Sequence, residues 1–197
     1  MFTGIVQELG TITKIQKEDW VYYTIASPSL TSDIKIGSSV AVDGICLTVL
    51  SFNDSEFTVQ VMPETVAKTN LVSKQIDSRV NLELSLKIGD TLDGHFVMGH
   101  VDGVGKVNQL IADGDFWVLS IIPPVDLLKF IALKGSIAIN GTSLTISAVG
   151  IDKFEVSLIQ HTLENTNLKG LTAGEQVNLE ADVFARYVDT NLKYKIN

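Results

Sequence analysis

Several things are scarce in this 197-residue chain, and each scarcity removes a class of function. A single cysteine, Cys46, cannot form an internal disulfide and falls short of a thiolate metal cluster. Histidine occurs three times, and His95 and His100 have no third Cys or His ligand close by, which disfavours zinc. Only four prolines beside a 45% apolar share argue for compact structure over extended disorder. Basic residues number 15 against 23 acidic ones, and they form no cluster, so nucleic acid and an anionic membrane surface are poor partners. No apolar run approaches the roughly 20 residues that cross a bilayer. Met1-Phe2-Thr3-Gly4 lacks the charged start of a secretory signal, so a soluble cytoplasmic protein is expected. There is no phosphate loop, dinucleotide-binding glycine fingerprint or nucleophile elbow, Gly103-Val104-Gly105 being too short to count. An enzyme built this way works with ordinary side chains and no nucleotide cofactor.

What the chain does have is a duplicate of itself. Shifted by 97 positions, residues 40–83 fall on 137–180 without a gap. Gly44/Gly141, Leu47/Leu144, Thr48/Thr145, Phe57/Phe154, Val59/Val156 and Thr65/Thr162 are identical pairs. Thr69-Asn70-Leu71 recurs as Thr166-Asn167-Leu168, and Val80-Asn81-Leu82-Glu83 as Val177-Asn178-Leu179-Glu180. At a slightly different offset, Gly4, Val6 and Gly10 match Gly99, Val101 and Gly105. The period is too long for a solenoid unit and suits a whole small domain.

Each copy is built of short segments that alternate apolar and polar residues and are rich in Val, Ile, Thr and Phe. In the first copy they are 10–15, 21–26, 39–42, 46–52, 57–62 and 80–84. Asp43-Gly44 and Asn140-Gly141 sit between such runs as hairpin turns. About six strands per half follow, and a small all-β unit of that size hides its edges by closing into a barrel. Residues 63–68 and 160–165 read as helical turns, the first opened by Pro63. Val183, Phe184, Tyr187, Val188 and Leu192 form an apolar stripe at helical spacing, with Arg186, Asp189 and Lys193 outside it. This terminal helix packs on its own barrel or on other copies of the chain.

The densest stretch of chemistry is Gly94-His95-Phe96-Val97-Met98-Gly99-His100, at the junction of the repeats. Matched to residues 1–6, residues 96–101 are expected to form a strand, with His100 on the face of Phe96 and Met98 and His95 on the other. Either imidazole can carry a proton near neutral pH. Cys46 in the first copy stands opposite Ser143 in the second, both beside glycine and Leu-Thr. Two small polar groups at equivalent places point to two equivalent pockets with different chemistry, where threonine hydroxyls can bond a flat heterocycle.

Taken in order, Met1-Phe2-Thr3-Gly4-Ile5-Val6, Gly44-Ile45-Cys46-Leu47-Thr48, the 94–100 stretch, Gly141-Thr142-Ser143-Leu144-Thr145 and His161-Thr162-Leu163-Glu164 resemble riboflavin synthases of the alpha-chain type. The resemblance spans essentially the whole chain. It implies two lumazine-binding Greek-key barrels of six strands, residues 1–94 and 95–184, and a helix over 185–197 for oligomerisation. It also implies a homotrimer, with each active site between the first barrel of one subunit and the second barrel of a neighbour. The implied reaction is dismutation of two 6,7-dimethyl-8-ribityllumazine molecules by four-carbon transfer, with no metal or redox cofactor. A trimer of this kind can associate with lumazine synthase. A non-catalytic lumazine- or flavin-binding antenna protein of the same fold is the alternative, against which the retained Cys46, His95 and His100 speak.

Carried over by motif, Gly4, Ile5 and Val6 with Ser143, Leu144, Thr145, Ile159, Gln160, His161, Thr162, Leu163 and Glu164 line one lumazine site. Cys46, Leu47, Thr48, Gln60, Val61, Met62, Pro63, Glu64 and Thr65, with Gly99, His100, Val101 and Lys134, line the other. Ser39, Cys46, His95, His100 and Asp182 are the candidates for chemistry, with His100 favoured to remove the acidic 7-methyl proton and Cys46 or Ser39 to add to the donor ring. Asp93, Met98 and Gln160 depart from the residues usual in the family. The copies disagree at Cys46/Ser143, Ile5/His100 and Glu64/His161, and those positions are expected to decide which lumazine donates and which accepts.

Overall fold

Asp43 and Asn140 adopt φ of 46° and 45°, and the glycines that follow them 77° and 76°. Two consecutive residues at positive φ make the tight turn whose twist matches paired strands, which is why Asp-Gly and Asn-Gly were selected there. The computed structural model describes residues 1–194. In the first half the strands are β1 (Glu8–Lys17), β2 (Val21–Ala26), β3 (Ser39–Val42), β4 (Ile45–Phe52), β5 (Glu56–Val61) and β6 (Arg79–Leu84). In the second they are β7 (Gly103–Asp113), β8 (Phe116–Ile122), β9 (Ser136–Ile139), β10 (Thr142–Val149), β11 (Phe154–Leu158) and β12 (Gln176–Ala181). Each set closes into an antiparallel barrel, β1-β2-β5-β4-β3-β6 and its counterpart β7-β8-β11-β10-β9-β12. The short helices expected after the fifth strand of each copy are α1 (Pro63–Lys68) and α2 (Gln160–Asn165). The pairing register slips at matching places, in β1 and β7 and again in β4 and β10. Such bulges bend strands and help a six-stranded sheet to close.

Alternation places Ile12, Ile25, Val40, Val49, Phe57, Val59, Val80 and Leu82 in the first barrel's core, and Val107, Leu119, Ile137, Ile146, Phe154, Val156, Val177 and Leu179 in the second's. Each such side chain contributes about 1.5–3 kcal/mol by leaving water. In β6 and β12 both faces are buried, because Asn81, Glu83, Asn178 and Glu180 face the other barrel or its connecting chain. A polar network joins the barrels. Asn81 donates to the Asn140 carbonyl and Asn178 to the Asp43 carbonyl (2.8 and 2.9 Å), while the amides of Asn167 and Asn70 donate to the side chains of Asn81 and Asn178 (2.7 Å each). The backbone contacts of the network are symmetric, and within it fully buried Asp43 stands opposite Asn140. Its charge is met by Lys74 at 2.7 Å, where the second copy has Leu171.

Residues 96–101 do not form the expected strand. Phe2 and Val97 make a single antiparallel bridge, with N–H···O distances of 2.7 and 3.1 Å. Beyond it Gly99 turns at φ +77°, and the N–H groups of residues 98–100 go to the Glu180 carboxylate instead of a neighbouring strand. The strand alternation of His95 and His100 is therefore lost.

The terminal helix α3 spans Val183–Tyr194; residues 195–197 of the expected helix lie outside the described residues. It is fastened to its own barrel by its charged side. Arg186 meets Asp102 at 2.6 Å and Asp189 meets Lys129 at 3.3 Å. Phe184 touches the Phe96 ring edge-on, but Tyr187, Val188 and Leu192 remain more than half exposed.

Candidate functional site

The two halves exchange short arms. The chain start crosses to the second barrel, where the Gly4 carbonyl accepts the Ser143 N–H at 2.7 Å. The junction between the repeats crosses to the first barrel, where the Gly99 carbonyl accepts the Cys46 N–H at 2.9 Å. Both glycines are required: their φ are +79° and +77°, and a β-carbon on either would lie 2.5–2.6 Å from the β-carbon of Ser143 or Cys46. The arms are fixed by two buried acids. Glu83 accepts the Thr3 N–H, the Thr3 hydroxyl and the Gly4 N–H at 2.6, 2.7 and 3.0 Å. Glu180 accepts the N–H groups of Met98, Gly99 and His100 at 2.6, 2.9 and 3.0 Å.

On the first barrel this leaves a cleft of about 280 Å³ lined by Ile45, Cys46, Glu64, Thr65, Lys68, Thr69, Gly99, His100 and Val101. The β4 strand turns Ile45 and Leu47 toward the core and Cys46 and Thr48 to the other face. Helix α1 forms the opposite wall, where Lys68 pairs with Glu64 at 2.6 Å and holds that carboxyl below its usual pKa. On the second barrel the equivalent parts are Ser143 on β10, His161 and Thr162 on α2, and the arm of Gly4, Ile5 and Val6. Thr145 is exposed there as Thr48 is in the first copy, while Ile159, Gln160 and Glu164 lie on the surface around the start of α2.

The halves differ chemically. Ser143 Oγ lies 2.7 Å from His95 Nδ1, whereas Cys46 shares its cleft with the exposed His100. His95 is 8% exposed, and its Nε2 is buried with no hydrogen-bond partner. Burial pushes its pKa down, opposed by the nearby Asp182 carboxylate, so the imidazole is neutral at neutral pH. Asp182 also caps α3, accepting the Phe184 N–H at 2.9 Å.

Some sequence-derived site residues lie elsewhere. Leu47, Val61, Leu144 and Leu163 point into barrel cores, because β alternation and the inward side of α2 put them there. Ser39 lines a separate cleft of about 480 Å³ with Asp33, Lys35 and Lys87. Lys134 occupies a left-handed turn at φ 66°, where the first copy has Gly37, and is exposed away from the Cys46 cleft. Gln60 lies on β5 beside Tyr22, and Met62 and Pro63 lead into α1. Glu83 and Glu180 were visible only as the last letter of a repeated Val-Asn-Leu-Glu.

Comparison with known proteins agrees with this geometry. The family model described as "Lumazine binding domain" matches residues 3–85 and 98–182. The chain is 42% identical over 191 residues to a riboflavin synthase of Bacillus amyloliquefaciens, covering 95% of this chain and 88% of that protein. It is 42% identical over 194 residues to one of Mycobacterium tuberculosis, covering 96% of each. Among solved structures, LumP complexed with riboflavin superposes with a TM-score of 0.86 at 28% identity, over 92% of this chain and 99% of that one. Twin barrels with exchanged arms, each matched by the lumazine-binding model, define a tandem lumazine-binding protein. The chain belongs to the riboflavin synthase family.

Proposed function

We propose that the protein is a riboflavin synthase. It is a transferase that converts two molecules of 6,7-dimethyl-8-ribityllumazine into riboflavin and 5-amino-6-(D-ribitylamino)uracil, the last step of riboflavin biosynthesis. The observation that carries this reading is a pair of matching positions made unlike: Cys46 in a cleft of the first barrel, a Ser143–His95 pair at the equivalent place on the second. One substrate used in two roles needs two similar pockets with different chemistry.

The 7-methyl group of lumazine is acidic because its carbanion delocalises into the ring. A hydroxyl bonded to a neutral imidazole is suited to take that proton, Ser143 Oγ accepting it as its own proton passes to His95 Nδ1, which favours His95 with Ser143 over exposed His100. The developing imidazolium is stabilised by Asp182. Cys46, in the first barrel's cleft, is in this reading the nucleophile that activates the second ring. Holding two rings in a fixed pose supplies an entropic share of the acceleration.

The assembly in this reading is a homotrimer. It is supported by α3, whose charged side is spent on its own barrel and whose apolar side is left for another copy. Ser39 and Lys134, outside the Cys46 cleft of their own chain, belong in this reading to the site completed by a neighbour. A cytoplasmic setting and association with lumazine synthase rest on the family resemblance alone.

The test is anaerobic incubation with the lumazine substrate alone. One riboflavin formed for every two lumazines consumed supports the synthase. Tight binding without riboflavin formation overturns it in favour of a binding protein, the role compatible with the ligand complexes of LumP.

A further inference from the structure

We propose that Glu180 and Glu83 are positioning residues that act across the barrel boundary: Glu180, on the second barrel, sets the Cys46 cleft of the first, and Glu83, on the first, sets the place of Ser143 on the second. The inference rests on the lumazine reading for its ligand, and on geometry for the rest.

Each acid reaches its target through one peptide. Glu180 takes the Gly99 N–H, and the carbonyl of the same residue holds the Cys46 N–H. Glu83 takes the Gly4 N–H, and the Gly4 carbonyl holds the Ser143 N–H. The chains of contact are identical in the two copies although the groups they place differ, so what the copies share is the placing of Cys46 and Ser143, not their chemistry. Neighbouring residues bear this out. Gly99 and His100, whose N–H groups Glu180 accepts, are themselves walls of the Cys46 cleft.

The acids are costly if they serve only as clips. Glu83 and Glu180 are 4% and 3% exposed, and a buried carboxylate carries a large desolvation penalty. What a carboxylate offers that an amide does not is acceptance at both oxygens. In each clamp both oxygens are used: Glu180 Oε1 by Met98 and Oε2 by Gly99 and His100, Glu83 Oε1 by Thr3 and Oε2 by Gly4. A glutamine would turn an NH₂ group against at least one N–H of the arm. Near Glu180 the facing charges are Arg186, which bonds the His100 carbonyl, and Asp102, which holds Arg186; near Glu83 the facing charge is the chain's own amino terminus.

Cys46 is the chain's one thiol, so its labelling reports the first cleft alone. The experiment measures the rate at which a disulfide reagent labels Cys46 in the full-length protein, with and without 6,7-dimethyl-8-ribityllumazine, alongside kcat and KM for riboflavin formation. Glu180→Gln is expected to speed labelling of the unliganded protein about tenfold, the worth of one charge-assisted hydrogen bond, and to weaken protection by lumazine to match. Glu83→Gln is expected to leave labelling and protection of Cys46 as in the parent while kcat falls about tenfold. Should Glu180→Gln fail to fold, Glu180→Asp, which withdraws the carboxylate but keeps its charge, carries the same expectation for labelling. Parental labelling in a folded Glu180 variant, or equal disturbance of Cys46 by Glu83→Gln, overturns the proposal. If the parent protein makes no riboflavin, the functional reading fails, while the labelling of unliganded Cys46 still decides whether Glu180 positions it.

Discussion

Gly44 and Gly141 meet back to back: a β-carbon built on either would stand 2.7 Å from the amide nitrogen of the other. This contact marks the pseudo-twofold axis between the barrels, and it brings the residues before them, Asp43 and Asn140, into one buried network. Asn70 donates from its side-chain amide to both, at 3.2 and 3.1 Å.

The single charge in that network makes a prediction. Lys74→Leu copies the residue of the second repeat but leaves Asp43 buried and unpaired, and is expected to cost about 3–5 kcal/mol. Asp43→Asn together with Lys74→Leu restores the symmetry seen at Asn140 and Leu171, and should recover most of the loss. Chemical denaturation of the two variants beside the parent checks both; a double variant no more stable than Lys74→Leu contradicts the account.

Glu180 gives the chain a pH signature. Burial, the dominant cause, lifts its carboxyl from 4.5 to about 7, against the pull of its three N–H donors and Arg186. An acid whose pKa is raised by folding binds more protons folded than unfolded, so its contribution to stability falls as pH rises between those values. Glutamine does not titrate. The stability of Glu180→Gln relative to the parent should therefore rise by about 2–3 kcal/mol from pH 5 to pH 8. A pH-independent difference would show that the carboxyl ionises in the fold as it does unfolded.

Turnover should separate the histidines. Ser143→Ala and His95→Ala are each expected to lower kcat about a hundredfold or more with the fold retained, and the double variant to be little worse than either. His100→Ala, which removes a side chain from the cleft wall but leaves the main chain that Glu180 holds, should cost less than tenfold. Steady-state riboflavin formation measures all four. A larger loss at His100 than at His95 would return the base to His100.

The bare side of α3 should control assembly. Tyr187 is 66% exposed in a single chain, so Tyr187→Asp will not disturb the barrels. It is expected to shift the protein from trimer to monomer in light scattering and to abolish riboflavin formation. A trimer that persists would place the contact elsewhere.

The barrels were legible in the sequence because each strand buries one face and the turn residues admit few conformations. Val21–Ala26 and Ser39–Val42 have the bounds that alternation indicates, as do α1 and α2. Alternation fails where the outer face is covered as well. Glu83 looks like any solvent-facing strand residue until the arm laid over it is seen. The 96–101 segment misled for the same reason: its strand-like composition is overridden by Gly99 and by a carboxylate 80 residues away that competes for its N–H groups. The pairing of His95 with Ser143 spans 48 positions and leaves no local trace, although both residues stood out as candidates.

The exchanged arms have a consequence for how such a chain arose. A lone barrel would have an arm with no groove to lie in and a groove with no arm to fill it, and two copies would satisfy each other only by trading. Joining them end to end made that trade intramolecular, so that seating each arm no longer depends on how much protein is present. Once partnership was guaranteed by the peptide bond, the two halves were free to drift apart, one toward a thiol and the other toward a hydroxyl beside an imidazole.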